Sequence, residues 1–272
     1  LGGEENMESE EEGVLGPKAA SVLMKILYGA RLARWDLLKP VAMLASRITK
    51  WSVGCDEALH RLMWYTNSTR DLVLRGYVGD SPKDVHLELF ADADFASDRP
   101  SYKSTSGAIL VLVGPNTWFP LSAMSKKQTC VSRSTPEAEI VAASVAMCTV
   151  GIPAIDLWEG ILSRSVSMEF REDNTEHKPL KLVYEESEKQ RADIFTKVFR
   201  EVPRWNHAVG RIGLHRRSQA AASAVPEESD CPVVTRVSHE ASRFATLPQK
   251  LSHLWSTVCG CIVTDFHSGE LI

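Results

Sequence analysis

The chain has no apolar run long enough to cross a bilayer. Its longest uninterrupted stretch, Ala108-Ile109-Leu110-Val111-Leu112-Val113, falls far short of the ~18 residues a span requires, so no membrane span is expected. No basic segment followed by an apolar one opens the sequence, which argues against a secretory leader. With Leu1 rather than Met in first place, the chain is expected to be a fragment. The six cysteines (Cys55, Cys130, Cys148, Cys231, Cys259, Cys261) follow no regular spacing, which fits free thiols in a reducing compartment better than a disulfide framework. Cys259 and Cys261 are close, but with His267 they lack the second ligand pair of a structural zinc site. An excess of positive charge is also missing. With 31 Lys and Arg against 35 Asp and Glu, the net charge of −4 gives no global attraction for nucleic acid. Any such binding must use a local basic patch. Internal repeats are absent as well.

What is present suffices for a core: 44% of the 272 residues are hydrophobic, and the mean hydropathy is −0.14. Residues 1–17 hold six glutamates without apolar periodicity and are expected to form a disordered acidic leader. Over 18–80 the pattern is helical. Leu23, Ile26, Leu27 and Ala30 recur at helical spacing, as do Val41, Leu44, Ala45 and Ile48, then Leu59, Leu62, Met63 and Thr66. Asp36 is placed to cap the second of these helices, and Asp56 lies near the start of the third. Leu72 to Leu74 reads as a short strand.

Over 81–215 the pattern alternates like a sheet. His86 to Phe90 leads into Ala91-Asp92-Ala93-Asp94. Gly107 to Val113 and Trp118 to Ser122 follow, joined by a Gly114-Pro115-Asn116 turn, and predict three antiparallel strands. Thr135-Pro136-Glu137 gives an N-cap, a proline and a first-turn acid ahead of Ile140, Ala143, Ser144 and Met147. A second helical piece runs to Ser163. Val166, Met168 and Phe170 then alternate into Arg171-Glu172-Asp173-Asn174 as a fourth strand. Leu180 to Tyr184 is a fifth strand candidate, and Glu186 to Phe199 a closing helix. Residues 216–272 lose periodicity and are expected to be mostly disordered.

Four acids fall at the ends or starts of these elements: Asp92, Glu139, Asp173 and Asp193. Phosphodiester hydrolysis can use such a set, because hard carboxylate oxygens hold Mg²⁺ or Mn²⁺. By spacing alone the simpler alternative is that they sit on solvated faces, since the chain has 35 acids. Trp118 and Phe119 are expected to pack in the core rather than stack on bases.

A series of motifs favours the site. Ala91-Asp92-Ala93-Asp94-Phe95-Ala96, Lys103-Ser104-Thr105-Ser106-Gly107, Ser125-Lys126-Lys127-Gln128, Ser134-Thr135-Pro136-Glu137-Ala138-Glu139, Glu172-Asp173-Asn174 and Ala192-Asp193-Ile194-Phe195-Thr196-Lys197 occur in this order. Together they resemble the ribonuclease H region of copia-type retrotransposon polyproteins. Residues 18–80 resemble the C-terminal end of the preceding reverse transcriptase, without its palm aspartates, so polymerase activity is not expected. The resemblance implies an α/β ribonuclease H-like mixed sheet with flanking helices. It implies metal-dependent hydrolysis of the RNA strand of RNA/DNA hybrids, with Asp92, Glu139, Asp173 and Asp193 as the catalytic, metal-binding acids and Mg²⁺ or Mn²⁺ as cofactor. Asp94 and Glu137 rank below their neighbours. Lys103, Ser104, Lys126, Lys127 and Arg133 would form a phosphate-contacting rim, with a merely solvated surface as the alternative. The implied partners are the hybrid and the remainder of the polyprotein, without a membrane, and the implied location is intracellular, in cytoplasmic particles or the nucleus.

The sequence also departs from this family. The interval between the Asp173-Asn174 motif and Asp193 is short, and Tyr184 to Lys189 lacks the loop histidine of cellular relatives. The family's fourth and fifth strands are parallel, and a parallel connection normally needs a dozen residues or more. Thr175 to Pro179 would span at most ~18 Å. Residues 180–184 are therefore expected to pair antiparallel, leave the sheet or stay irregular, with Asp193 falling short of the other acids. The alternative to an enzyme is thus a degenerate nucleic-acid-binding or protein-interaction module without catalysis.

Overall fold

The computed structural model describes residues 11–98, 100–172, 182–186 and 189–217. The first part is helical: α1 (Gly16–Leu32), α2 (Leu38–Ala45) and α3 (Val53–Ser68). Helix α3 starts where the sequence suggests, with the Ser52 side chain accepting from the Cys55 amide. Asp36 does not cap α2. It lies in a short 3₁₀ turn, Trp35–Leu37, and is fully buried against Arg34 and Tyr65. Burial wins over capping because the guanidinium and phenol neutralise and satisfy the carboxylate. Structure also begins before Gly16: Glu12 bridges to Ser52, and the Val14 and Leu15 amides donate to Asp56.

Strands β1 (Leu72–Leu74) and β2 (Tyr77–Val78) lead into β3 (His86–Asp98), β4 (Lys103–Gly114) and β5 (Thr117–Lys127). The last three form the expected antiparallel run; β4 and β5 are longer at both ends, and β3 starts at His86 but runs on past Phe90 to Asp98, so Asp94 lies within it. Helices α4 (Thr135–Ala146) and α5 (Ile152–Leu162) are joined without a break by a π-helical turn, Met147–Gly151. The N-cap of α4 is Ser134, one residue earlier than expected. By length and composition alone the joined run Thr135–Leu162 would suffice to cross a bilayer, a feature the uninterrupted apolar stretches do not reveal. Here it lies on the sheet through buried Ala138, Ala142, Ala146 and Ala154.

Strand β6 (Met168–Glu172) is followed by β7 (Leu182–Tyr184), α6 (Asp193–Thr196), α7 (Val202–Arg211) and β8 (Leu214–Arg216). The main sheet is mixed, in the order β2-β5-β4-β3-β6-β7, with β6 parallel to β3 and β7 parallel to β6. The expectation that residues 180–184 could not pair parallel is therefore wrong. Strand β6 stops at Glu172 and β7 starts at Leu182, so the connection is longer than the five residues counted from sequence. At ~3.3–3.6 Å per residue its reach exceeds the ~10 Å length of so short a strand. The closing helix is also corrected: among the described residues of 186–199 the α-helix is the single turn Asp193–Thr196, with Lys189 in a 3₁₀ turn, and α7 went unforeseen.

Alternation along β3 builds two cores. Leu87, Leu89 and Ala91 face α4 and α5, while Phe90 faces the other way and joins Leu23, Leu37, Leu44, Phe195 and Ile212. The N-terminal helices therefore share a core with the sheet. Pairing of β1 with β8 ties the two stretches again.

Candidate functional site

Asp92 is 1% exposed on β3, opposite Gly107 of β4. Directly paired residues of an antiparallel ladder point to the same face, and Gly107 explains how α6 comes to rest there. A Cβ at that position would lie 2.7 Å from Thr196 Cγ2 and 2.8 Å from Phe195 Cβ. Without it, α6 settles directly over the strand pair. The Ser125 hydroxyl donates to the Phe195 carbonyl at 2.6 Å, and the Gln190 side chain donates to the Ala91 carbonyl at 2.9 Å. The first bond holds α6, and the second the segment leading into it, to the strands around Asp92.

This docking brings two of the expected acids together. The Thr196 hydroxyl donates to Asp92 Oδ2. Lys197 Nζ lies 3.6 Å from Asp92 Oδ1 and 2.7 Å from Asp193 Oδ1, bridging the two carboxylates. Asp193 thus does reach the neighbourhood of Asp92, against the expectation drawn from the short interval. Glu139 is buried on α4. Its neighbour Ala138 packs with Ala142 on Ala93, the residue after Asp92, so α4 approaches the same strand segment. Asp173 lies outside the described residues, as do Cys231, Cys259, Cys261 and His267. Of the lesser acids, Asp94 pairs with Lys39 of α2 at 3.3 Å. Glu137 serves the helix start: its carboxylate accepts from the Arg133 amide at 2.6 Å while Ser134 Oγ accepts from the Glu137 amide.

The residues expected to form a basic rim are differently placed. Ser106 pairs with Lys126 and Thr105 with Lys127, one and two positions beyond the row of Asp92, Gly107 and Ser125. Lys126 and Arg133 are exposed. Lys127 pairs with Asp98 at 2.9 Å, and Lys103 stands opposite Asp98 in the ladder. Ser104 is not part of any rim. It is fully buried, and its hydroxyl accepts from the Ala96 amide. Burial alone would push the Asp98 carboxyl up, but hydrogen bonds from Ser101 and Lys127 and the charges of Lys127 and Arg47 hold it below the ordinary value. Trp118 and Phe119 pack against the two cores, as expected, and the Arg191 guanidinium lies over both Trp118 and Phe90.

A cluster that the sequence did not suggest could bind a metal ion: His86, Glu88 and Glu169, whose ligand atoms all lie within 4.8 Å of one another. Among the described residues it is the one such three-residue group, and the acids around Asp92 do not form another. It lies toward the other end of β3, Glu88 being roughly 13 Å from Asp92 at ~3.3 Å per residue. Arg171 already enters it, 2.6 Å from Glu88 Oε1 and 3.2 Å from Glu169 Oε2, and reaches Glu185 at 3.0 Å. A metal would have to displace this guanidinium.

Thr196, Lys197, Gln190 and Lys39 are the contributors that residue-type reasoning missed. The signal for the first two was present, since both belong to the motif that supplied Asp193. No family model, curated protein or solved structure matches the chain.

Proposed function

We propose that the chain is the ribonuclease H part of a copia-type retrotransposon polyprotein, with the end of the reverse transcriptase attached, and that it hydrolyses the RNA strand of RNA/DNA hybrids. The observation that carries this reading is the approach of Asp193 to buried Asp92 through Lys197 and Thr196. The parallel pairing of β6 and β7, as in the family's fourth and fifth strands, supports the same fold.

The donor chemistry fits a divalent cation. Asp92 and Asp193 offer hard oxygens and already accept a cation, the Lys197 ammonium, between them, while Glu139 stands on α4, which packs on the neighbouring Ala93. When bound, Mg²⁺ or Mn²⁺ would supply an activated water and charge stabilisation for the departing 3′ oxygen. The chain's own residues orient the acids: Thr196 fixes one oxygen of Asp92, which leaves Oδ1 facing Lys197. Lys126 and Arg133 would contact phosphates of the duplex and set its register without reading sequence.

A second reading, a nucleic-acid-binding module without catalysis, is favoured by one observation. The Lys197 ammonium stands between the acids, and they make no tight three-ligand group among the described residues. The two separate by binding measurements on the full chain. Mn²⁺ affinity that falls in Asp92→Asn supports the enzyme. Salt-sensitive hybrid binding with no Asp92-dependent Mn²⁺ affinity supports the module and contradicts the first reading.

A further inference from the structure

We infer that Lys39 of α2 is a positioning residue for the acid site, acting through Thr196, so that the N-terminal helices are a working part of that site. The inference rests on the reading of Asp92 and Asp193 as metal ligands.

Lys39 is 9% exposed on a helix whose other buried positions, Leu38, Pro40, Val41 and Leu44, are apolar. An ammonium there costs several kcal/mol of desolvation unless it is paired and hydrogen-bonded, so packing alone would favour an apolar side chain. Its partners give the reason. Lys39 Nζ donates to the backbone carbonyl of Thr196, 157 positions away in the chain, and lies 3.3 Å from Asp94 Oδ2. The carbonyl is at the C-terminal end of α6, a helix of only four residues, where carbonyls lack intrahelical partners and a cation is favoured. Thr196 is also the residue whose hydroxyl donates to Asp92, and the next residue bridges Asp92 to Asp193. One buried cation therefore holds the backbone of the residue that orients the central acid. Partners of metal ligands act in this way, fixing a carboxylate's direction without touching the ion.

The test uses the full chain with Lys39→Met, Lys39→Gln and Lys39→Arg, each checked for folding by near-ultraviolet circular dichroism. Two quantities are read: amide hydrogen exchange over 193–197 without metal, and Mn²⁺ affinity by electron paramagnetic resonance. Lys39→Met and Lys39→Gln are expected to speed exchange there and to weaken Mn²⁺ binding by about 10- to 100-fold, with Lys39→Arg restoring both. Unchanged exchange overturns the inference. So does faster exchange with Mn²⁺ affinity unchanged, which is the mark of a structural tether, or tighter, which is the mark of a competing charge. If the wild-type chain binds Mn²⁺ no better than Asp92→Asn, the site reading itself fails, and exchange over 193–197 still decides whether Lys39 holds α6.

Discussion

The Thr196 hydroxyl on α6 donates to the buried carboxylate of Asp92 on β3, across 104 positions of sequence. Replacing Thr196 by the near-isosteric Val removes this bond and leaves the carboxylate short of a donor. The expected cost is about 1.5–3 kcal/mol, the range for a hydrogen bond to a charged group. Urea unfolding of Thr196→Val measures it, and an unchanged midpoint would show that the bond does not contribute.

Gly107 controls how closely α6 lies on the sheet. A methyl group at that position meets Thr196 and Phe195 below 3 Å, so Gly107→Ala should cost about 1–3 kcal/mol through overpacking. The same variant should weaken Mn²⁺ binding, because it lifts Thr196 from Asp92. Stability lost with Mn²⁺ affinity intact would separate the helix from the acids.

The buried pair Arg34 and Asp36 joins Tyr65, and Tyr65 accepts from the Trp205 indole on α7. Asp36→Ala leaves the guanidinium buried without its carboxylate, a loss of about 3–5 kcal/mol. Burial, reinforced by the charge of Asp36 and the hydrogen bond to it, pushes the Tyr65 phenol above its ordinary value. A raised folded-state value means that the phenol's contribution is complete below its unfolded value, about pH 10, and is lost as the pH rises from there. Wild type should therefore lose stability in alkali more steeply than Tyr65→Phe, and parallel curves would refute this.

Asp98 has the opposite sign. Its carboxyl is held low, so its contribution is present above the unfolded value, about pH 4, and disappears as the pH falls through the lower folded value. Asp98→Asn should flatten the acid limb of a stability profile. It should also release Lys127 and tighten salt-sensitive hybrid binding, measured by fluorescence anisotropy. Binding that is unchanged would remove Lys127 from the rim.

Much of the architecture was readable from periodicity. The three N-terminal helices, the β3–β5 meander and the capped α4 follow from local pattern, where side-chain spacing and turn residues decide the outcome. Asp92 and Asp193 were legible through their motifs. Contacts between distant stretches were not. The parallel β6–β7 pair depends on where each strand stops, and strand ends shift by a residue or two without any change in pattern. Helix α7 has the spacing of an amphipathic helix but lies in a stretch that carried no motif. Asp36 reads as a helix cap and Lys39 as a surface charge, yet tertiary partners from α3 and α6 bury both. Ser104 misled for the converse reason, since a hydroxyl that suits a phosphate suits a backbone amide equally well.

The shared core also decides what should be assayed. Phe90, Ile109 and Phe195 pack with Leu23, Leu37 and Leu62, so residues 81–217 alone should unfold without a cooperative transition and bind a hydrophobic dye. The full chain is therefore the preparation to assay. The decisive measurement is cleavage of a labelled RNA strand in an RNA/DNA hybrid by the full chain with Mg²⁺ or Mn²⁺, beside Asp92→Asn. Metal-dependent cleavage of the RNA strand that disappears in the folded variant is the expected result. No cleavage by folded wild type, or cleavage that survives in Asp92→Asn, would contradict it.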